Sequence, residues 1–177
     1  MGRGPATPCP RVPCLQWGMS SRAHLAFEPD YLEGFRQIYE EKIVFNQTLG
    51  LKLTDIRPEG QVSARIDMRH ALIGHFAYNR IHGGVISAAL DAIGSAAVMA
   101  ALAAKHMDEL PAKRLERFAK LGTIDLRIDY LRPGIGEFFT IHAECLRVGS
   151  RVGTARMEFR GPDGTLMSAG AAAYIVS

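Results

Sequence analysis

Apolar residues along this chain shift between a helical and an alternating period. From Asp30 to Asn46 they fall at Tyr31, Leu32, Phe35, Ile38, Tyr39 and Ile43, the spacing of an amphipathic helix, with Pro29 just before it. Leu49 to Ile56 and Gln61 to Met68 predict short strands around the turn Arg57-Pro58-Glu59-Gly60. In the second, Val62, Ala64, Ile66 and Met68 alternate with Ser63, Arg65 and Asp67. Arg69 to Ile81 reads as a loop. Val85 to Ala104 is apolar almost throughout and predicts one long core helix. Lys105 to Lys120 predicts a short surface helix, with Leu110, Leu115 and Phe118 on its sticky side and its charges, Arg114 among them, on a solvated face. Four extended runs close the chain: Gly122–Leu131, Phe138–Val148, Arg151–Arg160 and Leu166–Val176. In the first, Ile124, Leu126, Ile128 and Tyr130 share one face, and Asp125, Arg127 and Asp129 the other. Strands joined by tight turns, with a single long helix between the second and third, predict an α+β fold with an antiparallel sheet.

Composition narrows the class. A chain of 177 residues, 47% hydrophobic and 22% charged, fits one domain with an adequate core. A net charge of +3 is too mild for a nucleic-acid surface, though it suits a small anionic ligand. Cys9, Cys14 and Cys145 make neither a disulfide framework nor a metal set, and the six histidines show no ligand spacing. No metal site is therefore expected, and a reducing cytoplasm is the expected compartment. Residues 1–20 are expected as a disordered extension of the 30–177 domain. Met1 to Gly18 hold four of the nine prolines, no carboxylate and no apolar run of the kind a secretory signal needs. The segment reads as an over-long start, with Met19 the natural initiator.

Candidate chemistry concentrates on the long helix. Asp91 is the only charged residue from Val85 to Ala104. A carboxylate is costly to desolvate and costs about 2.5–3.5 kcal/mol at the centre of a membrane helix. The run is also Ala-rich rather than Leu-rich and strands follow it, so no membrane span is expected. Upstream stands His82-Gly83-Gly84. Glycines at a helix N-terminus let a ligand approach free backbone N–H groups, which can receive a developing negative charge. Asp91 lies seven residues beyond Gly84, about 10 Å along a straight helix, too far for both to serve one carbonyl. A catalytic Asp91 thus predicts a homodimer in which two antiparallel helices place Asp91 of one protomer near Gly84 of its partner. Ser95, one turn further, either holds the carboxylate or a water, or simply packs.

His82-Gly83-Gly84, Asp91 nine positions after the histidine, the strand Gly122-Thr123-Ile124-Asp125-Leu126-Arg127-Ile128-Asp129-Tyr130-Leu131-Arg132-Pro133-Gly134 and the closing Ala171-Ala172-Ala173-Tyr174 resemble the hotdog-fold acyl-CoA thioesterases. The likeness is to the phenylacetate-pathway (PaaI-type) group and its YigI-like medium- and long-chain relatives, and it covers roughly Phe45 to Ser177. The resemblance implies a five- to six-stranded antiparallel sheet wrapped around the long helix. It implies homodimers joined sheet edge to sheet edge, often paired into tetramers, and acyl-CoA as substrate with no separate cofactor. Asp91 would activate water or attack the thioester itself. The Gly83 N–H, with Gly84 beside it, would polarise the carbonyl from the other protomer. Thr123 matches a hydroxyl that places water in some relatives, or is merely a strand former. His82 fixes its loop or bonds the thioester region. Relatives often carry Asn or Gln five to seven residues before the histidine. Here His75 and Phe76 hold the outer two of those positions and Asn79 stands only three before, so His75, Asn79 or neither takes that role. Arg132, Arg147 and Arg151 are the expected contacts for coenzyme A phosphates, and Leu72, Ile73 and Phe76 candidates for acyl-groove walls.

Two other readings use the same fold. One is a non-catalytic acyl-CoA sensor or carrier, although the segment before Phe45 is too short and un-patterned for a helix-turn-helix. The other is a hotdog dehydratase or hydratase, which would want a catalytic histidine paired with a carboxylate.

Overall fold

The computed structural model describes residues 26–177. The expected 1–20 extension lies outside them. The N-terminal helical segment is α1 (Pro29–Arg36), continued by a wider π-helical turn (Gln37–Lys42), then α2 (Val44–Leu49). Pro29 occupies the first turn, where its missing N–H costs nothing. The sequence predicts one unbroken helix to Asn46; instead the Ile43 N–H reaches back five residues to the Ile38 carbonyl at 3.1 Å. Ile43 itself is extended (φ −80°, ψ 94°), which breaks the segment in two. Leu49, expected to open a strand, ends α2.

The remaining elements are β1 (Lys52–Arg57), β2 (Gln61–Asp67), β3 (Ile73–His75), β4 (Arg80–Ile81), α3 (Gly83–Ala104), α4 (Pro111–Glu116), β5 (Gly122–Tyr130), β6 (Phe138–Val148), β7 (Val152–Arg160) and β8 (Leu166–Ile175). Six strands form one antiparallel sheet in the order β1-β2-β6-β7-β8-β5, and β3 and β4 make a separate small hairpin inside the expected loop. The sheet wraps α3, which packs mainly on β6, β7 and β2. This is the hotdog arrangement.

The sequence of α3 explains its place. The helix is apolar around its whole circumference, so it is stable only when enclosed. Ile86, Leu90, Ile93, Ala97 and Val98 are buried against Ile66, Phe139, Ile141, Met157 and Phe159 of the sheet. Each large side chain so buried contributes about 1.5–3 kcal/mol. By length and composition α3 could cross a bilayer, but here it is the core helix. Gly60 (φ +82°) turns β1 into β2 where a side chain would strike Ala101 and Cys145. Gly94 has a different reason. A Cβ there would lie 2.3 Å from the Tyr174 hydroxyl and 2.9 Å from the Met157 sulfur.

Two expectations change. Arg114 is fully buried, not solvated. Its Nη2 bonds the Glu28 carboxylate at 2.6 Å and its guanidinium lies over the Tyr31 ring at 4.7 Å, tying α4 to α1. That hydrogen bond holds the Glu28 carboxyl below its ordinary value. Along β5, Ile124 (56% exposed) and Tyr130 (54% exposed) do not join the core. β5 is a sheet edge with a bulge between Thr123 and Asp125, which resets the alternation that the sequence carries.

Two outcomes follow for stability. Gly94→Ala should lower unfolding free energy by about 1–3 kcal/mol in urea denaturation, because overpacking outweighs the roughly 1 kcal/mol that Ala gains over Gly in a helix. Glu28→Gln should lower the melting temperature at neutral pH. A depressed carboxyl stabilises above its unfolded value of about 4.5 and ceases to do so as pH falls through the lower folded value, so the gap should close in strong acid.

Candidate active site

α3 places two sets of groups at different points along its length. At its start, His82 is the N-cap: its Nδ1 accepts the Gly84 N–H at 2.8 Å. Accepting there puts the proton of a neutral imidazole on Nε2. The bond does for a histidine what Asn or Asp does at most helix starts. It also occupies the Gly84 donor. Gly83 N–H, at the first helical position, has no partner among the described residues. Its carbonyl, by contrast, accepts from Tyr130 Oη and Ser87 Oγ, each at 3.0 Å, which fixes the peptide. Of the two expected oxyanion donors, the protomer therefore presents Gly83, while Gly84 supplies room and the cap. A mouth lined by Arg80, Gly83, Tyr130 and Arg132 opens there.

About two turns on, Asp91 is half-buried at the edge of a separate cleft of about 260 Å³. Thr123 Oγ1, at the start of β5, donates to Asp91 Oδ1 at 2.9 Å. That bond orients the carboxylate and leaves Oδ2 free to accept from a water. Tyr174 Oη donates to the Asp91 carbonyl at 3.1 Å through the space Gly94 leaves. Burial, and then the nearby Asp91 charge, push the Tyr174 phenol well above its ordinary value, so it remains a neutral donor. Ser95 also lines the cleft, but its hydroxyl donates to the Ala92 carbonyl at 2.8 Å and lies 3.3 Å from Tyr39 Oη rather than on Asp91. The rest of the lining is Asn46, Gly122 and the apolar Ile43, Phe45, Ala88, Ala92, Phe118 and Leu121.

The other expected residues lie apart. His75, Phe76 and Asn79 sit at the exposed β3–β4 tip, where His75 stacks on Phe76 and Tyr78 at 5.9 and 4.9 Å between ring centroids. Asn79 holds the turn in a left-handed conformation (φ +49°). Phe76 is 92% exposed, and neither it nor Leu72 or Ile73 walls the Asp91 cleft. Arg132 stands beside Gly83, with its Nη1 on the Leu166 carbonyl at 2.9 Å. Arg147 and Arg151 flank the β6–β7 turn, at the end of the sheet where β5 begins with Gly122. Sequence reasoning missed Arg80, Tyr130, Tyr174, Ile43, Phe45 and Phe118. Gly94 in a helix interior was the one visible signal, since it marks a close approach such as that of Tyr174.

An acid with its orienting hydroxyl at a cleft edge, and an unpaired N–H at the start of the same enclosed helix, stand on a domain of hotdog fold. Comparison with known proteins agrees. The thioesterase superfamily profile matches residues 78–168. The medium/long-chain acyl-CoA thioesterase YigI of Escherichia coli K12 is 34% identical over 132 residues, spanning 75% of this chain and 84% of the relative. A solved thioesterase-superfamily structure from Shewanella oneidensis aligns with TM-score 0.77 at 33% identity, covering 85% of this chain and 100% of that one. A thioesterase candidate from Syntrophus aciditrophicus aligns with TM-score 0.72, also at 33% identity, over 82% and 95% of the two chains. This chain belongs to the thioesterase superfamily.

The cap assignment has a direct check. His82→Ala should cost about 1 kcal/mol of stability, or about 2–4 °C in melting temperature, while His82→Asn, which still presents an acceptor, should recover most of it.

Proposed function

We propose that this chain hydrolyses acyl-CoA thioesters to free acid and coenzyme A, as a homodimer with two sites shared between protomers. The Asp91–Thr123 pair carries this reading, since a polarised, oriented carboxylate at the edge of an apolar cleft suits a reaction that needs only a base or nucleophile and an oxyanion donor. The YigI relative supports acyl-CoA as substrate.

Asp91 lies eight residues beyond Gly83, about 12 Å along the helix, so the two groups act together only across a dimer. β5 supports that assembly: it is a free sheet edge, and Ile124, Tyr130 and Leu131 leave apolar surface beside it. As base, Asp91 takes a proton from water while the oxygen bonds to the thioester carbon. The carbonyl becomes an oxyanion on the partner's Gly83 N–H, and collapse breaks the C–S bond to release coenzyme A, which leaves protonated. As nucleophile, Asp91 instead forms a mixed anhydride that water cleaves. Arg132 and Arg80, beside Gly83, and Arg151, at the Gly122 end of the sheet, are the cations suited to the coenzyme A phosphates.

The test is release of coenzyme A thiol from a panel running from acetyl- to palmitoyl-CoA and including phenylacetyl-CoA. Asp91→Asn should lower kcat about 10²–10⁴-fold with the oligomer intact. Gly83→Pro should fold, because proline is tolerated at the first helical position and His82 already holds the extended backbone that precedes one (φ −67°, ψ 136°). It removes the N–H and should lower kcat about 10²–10³-fold. Mixing the two inactive variants should restore turnover through hybrid dimers. Tight acyl-CoA binding with equal, negligible turnover in wild type and Asp91→Asn would instead indicate a sensor.

A further inference from the structure

We propose that Phe118, facing Ile43 and Phe45, is the end wall that sets the length of acyl chain the enzyme accepts; the assignment rests on the thioester-hydrolase reading above. The Asp91 cleft is polarised from side to side. Asp91 and Thr123 supply its reactive edge, and Ile43, Phe45, Phe118 and Leu121 make its walls. A carbonyl placed at Asp91 must direct its hydrocarbon away from water, along the groove that Ala88 and Ala92 leave open on α3. Phe118 lines the same groove. The Phe118 ring meets Tyr39 edge-on, with centroids 5.5 Å apart and planes at 76°. Tyr39 is fully buried and its hydroxyl is held near Ser95, so the stop behind Phe118 is rigid.

The opposite wall is built differently. Ile43 is the extended residue between the π-helical turn and α2, and α2 is pinned by the Asn46 side chain, whose Nδ2 donates to the Tyr39 carbonyl at 2.9 Å. Phe45 remains 59% exposed beside the cleft mouth. Ile43 and Phe45 precede the 78–168 segment matched by the superfamily profile.

The experiment is the profile of kcat/KM against acyl length, from acetyl- to palmitoyl-CoA, for the full chain as wild type, Phe118→Ala, Phe118→Trp and Ile43→Ala, with melting curves to confirm folding. Phe118→Ala and Ile43→Ala should move the optimum to longer chains and Phe118→Trp to shorter ones. The ratio of the new to the old optimum should rise about tenfold or more, the scale of one methylene in a hydrophobic pocket. An unmoved optimum in the folded variants overturns the assignment while leaving the hydrolase reading intact. A wild-type chain that releases thiol from no member of the panel overturns the hydrolase reading and this assignment together.

Discussion

A helix that is apolar on every side has to be enclosed, and the enclosure of α3 organises this protein. The curved sheet covers most of the helix, α2 and the π-helical turn before it cover part of the remainder, and the opening that is left is where Asp91 emerges. Sealing that position would leave a carboxylate desolvated without a charge partner. At the edge, Thr123 supplies one hydrogen bond and the cleft leaves the second carboxylate oxygen accessible. The same enclosure keeps the first turn of α3 at the surface, where the free Gly83 N–H is available.

Several residues unrelated by sequence position hold the helix backbone. Tyr174 fixes the Asp91 peptide from β8, Tyr130 fixes the Gly83 peptide from β5, and His82 caps the first turn. Both tyrosines reach α3 from strands next to each other at one edge of the sheet. The Gly83 and Asp91 peptides are therefore registered to each other through the sheet as well as along the helix axis. A site shared between two protomers would need this rigidity, because its halves meet only if each is held independently.

The helical segments outside the sheet form a layer of their own. Arg114, Glu28 and Tyr31 join α4 to α1, and Phe118 and Tyr39 continue that contact down to the cleft. This layer is built from a buried cation and aromatic rings rather than from sheet pairing.

The sequence alone determined the six strands of the main sheet and the long core helix, and it singled out Asp91. An uninterrupted apolar run and the clean alternation at β2 are local patterns, and a lone carboxylate in an apolar run is conspicuous without coordinates. It misjudged β5, because Ile124 and Tyr130 carry the alternation of a covered strand while the topology leaves β5 at an edge. It misjudged Arg114, because a charge among charges reads as solvated until a carboxylate and a ring from another helix close over it. It also predicted two free glycine donors where the His82 ring takes one. Only the tertiary structure decided that Thr123 meets Asp91, that Tyr174 needs Gly94 absent a side chain, and that Ile43 and Phe118 line one cleft. Each of those pairs joins residues far apart in the chain. Periodicity reports which face of its own element a residue occupies, and it carries no information about what another element brings to that face.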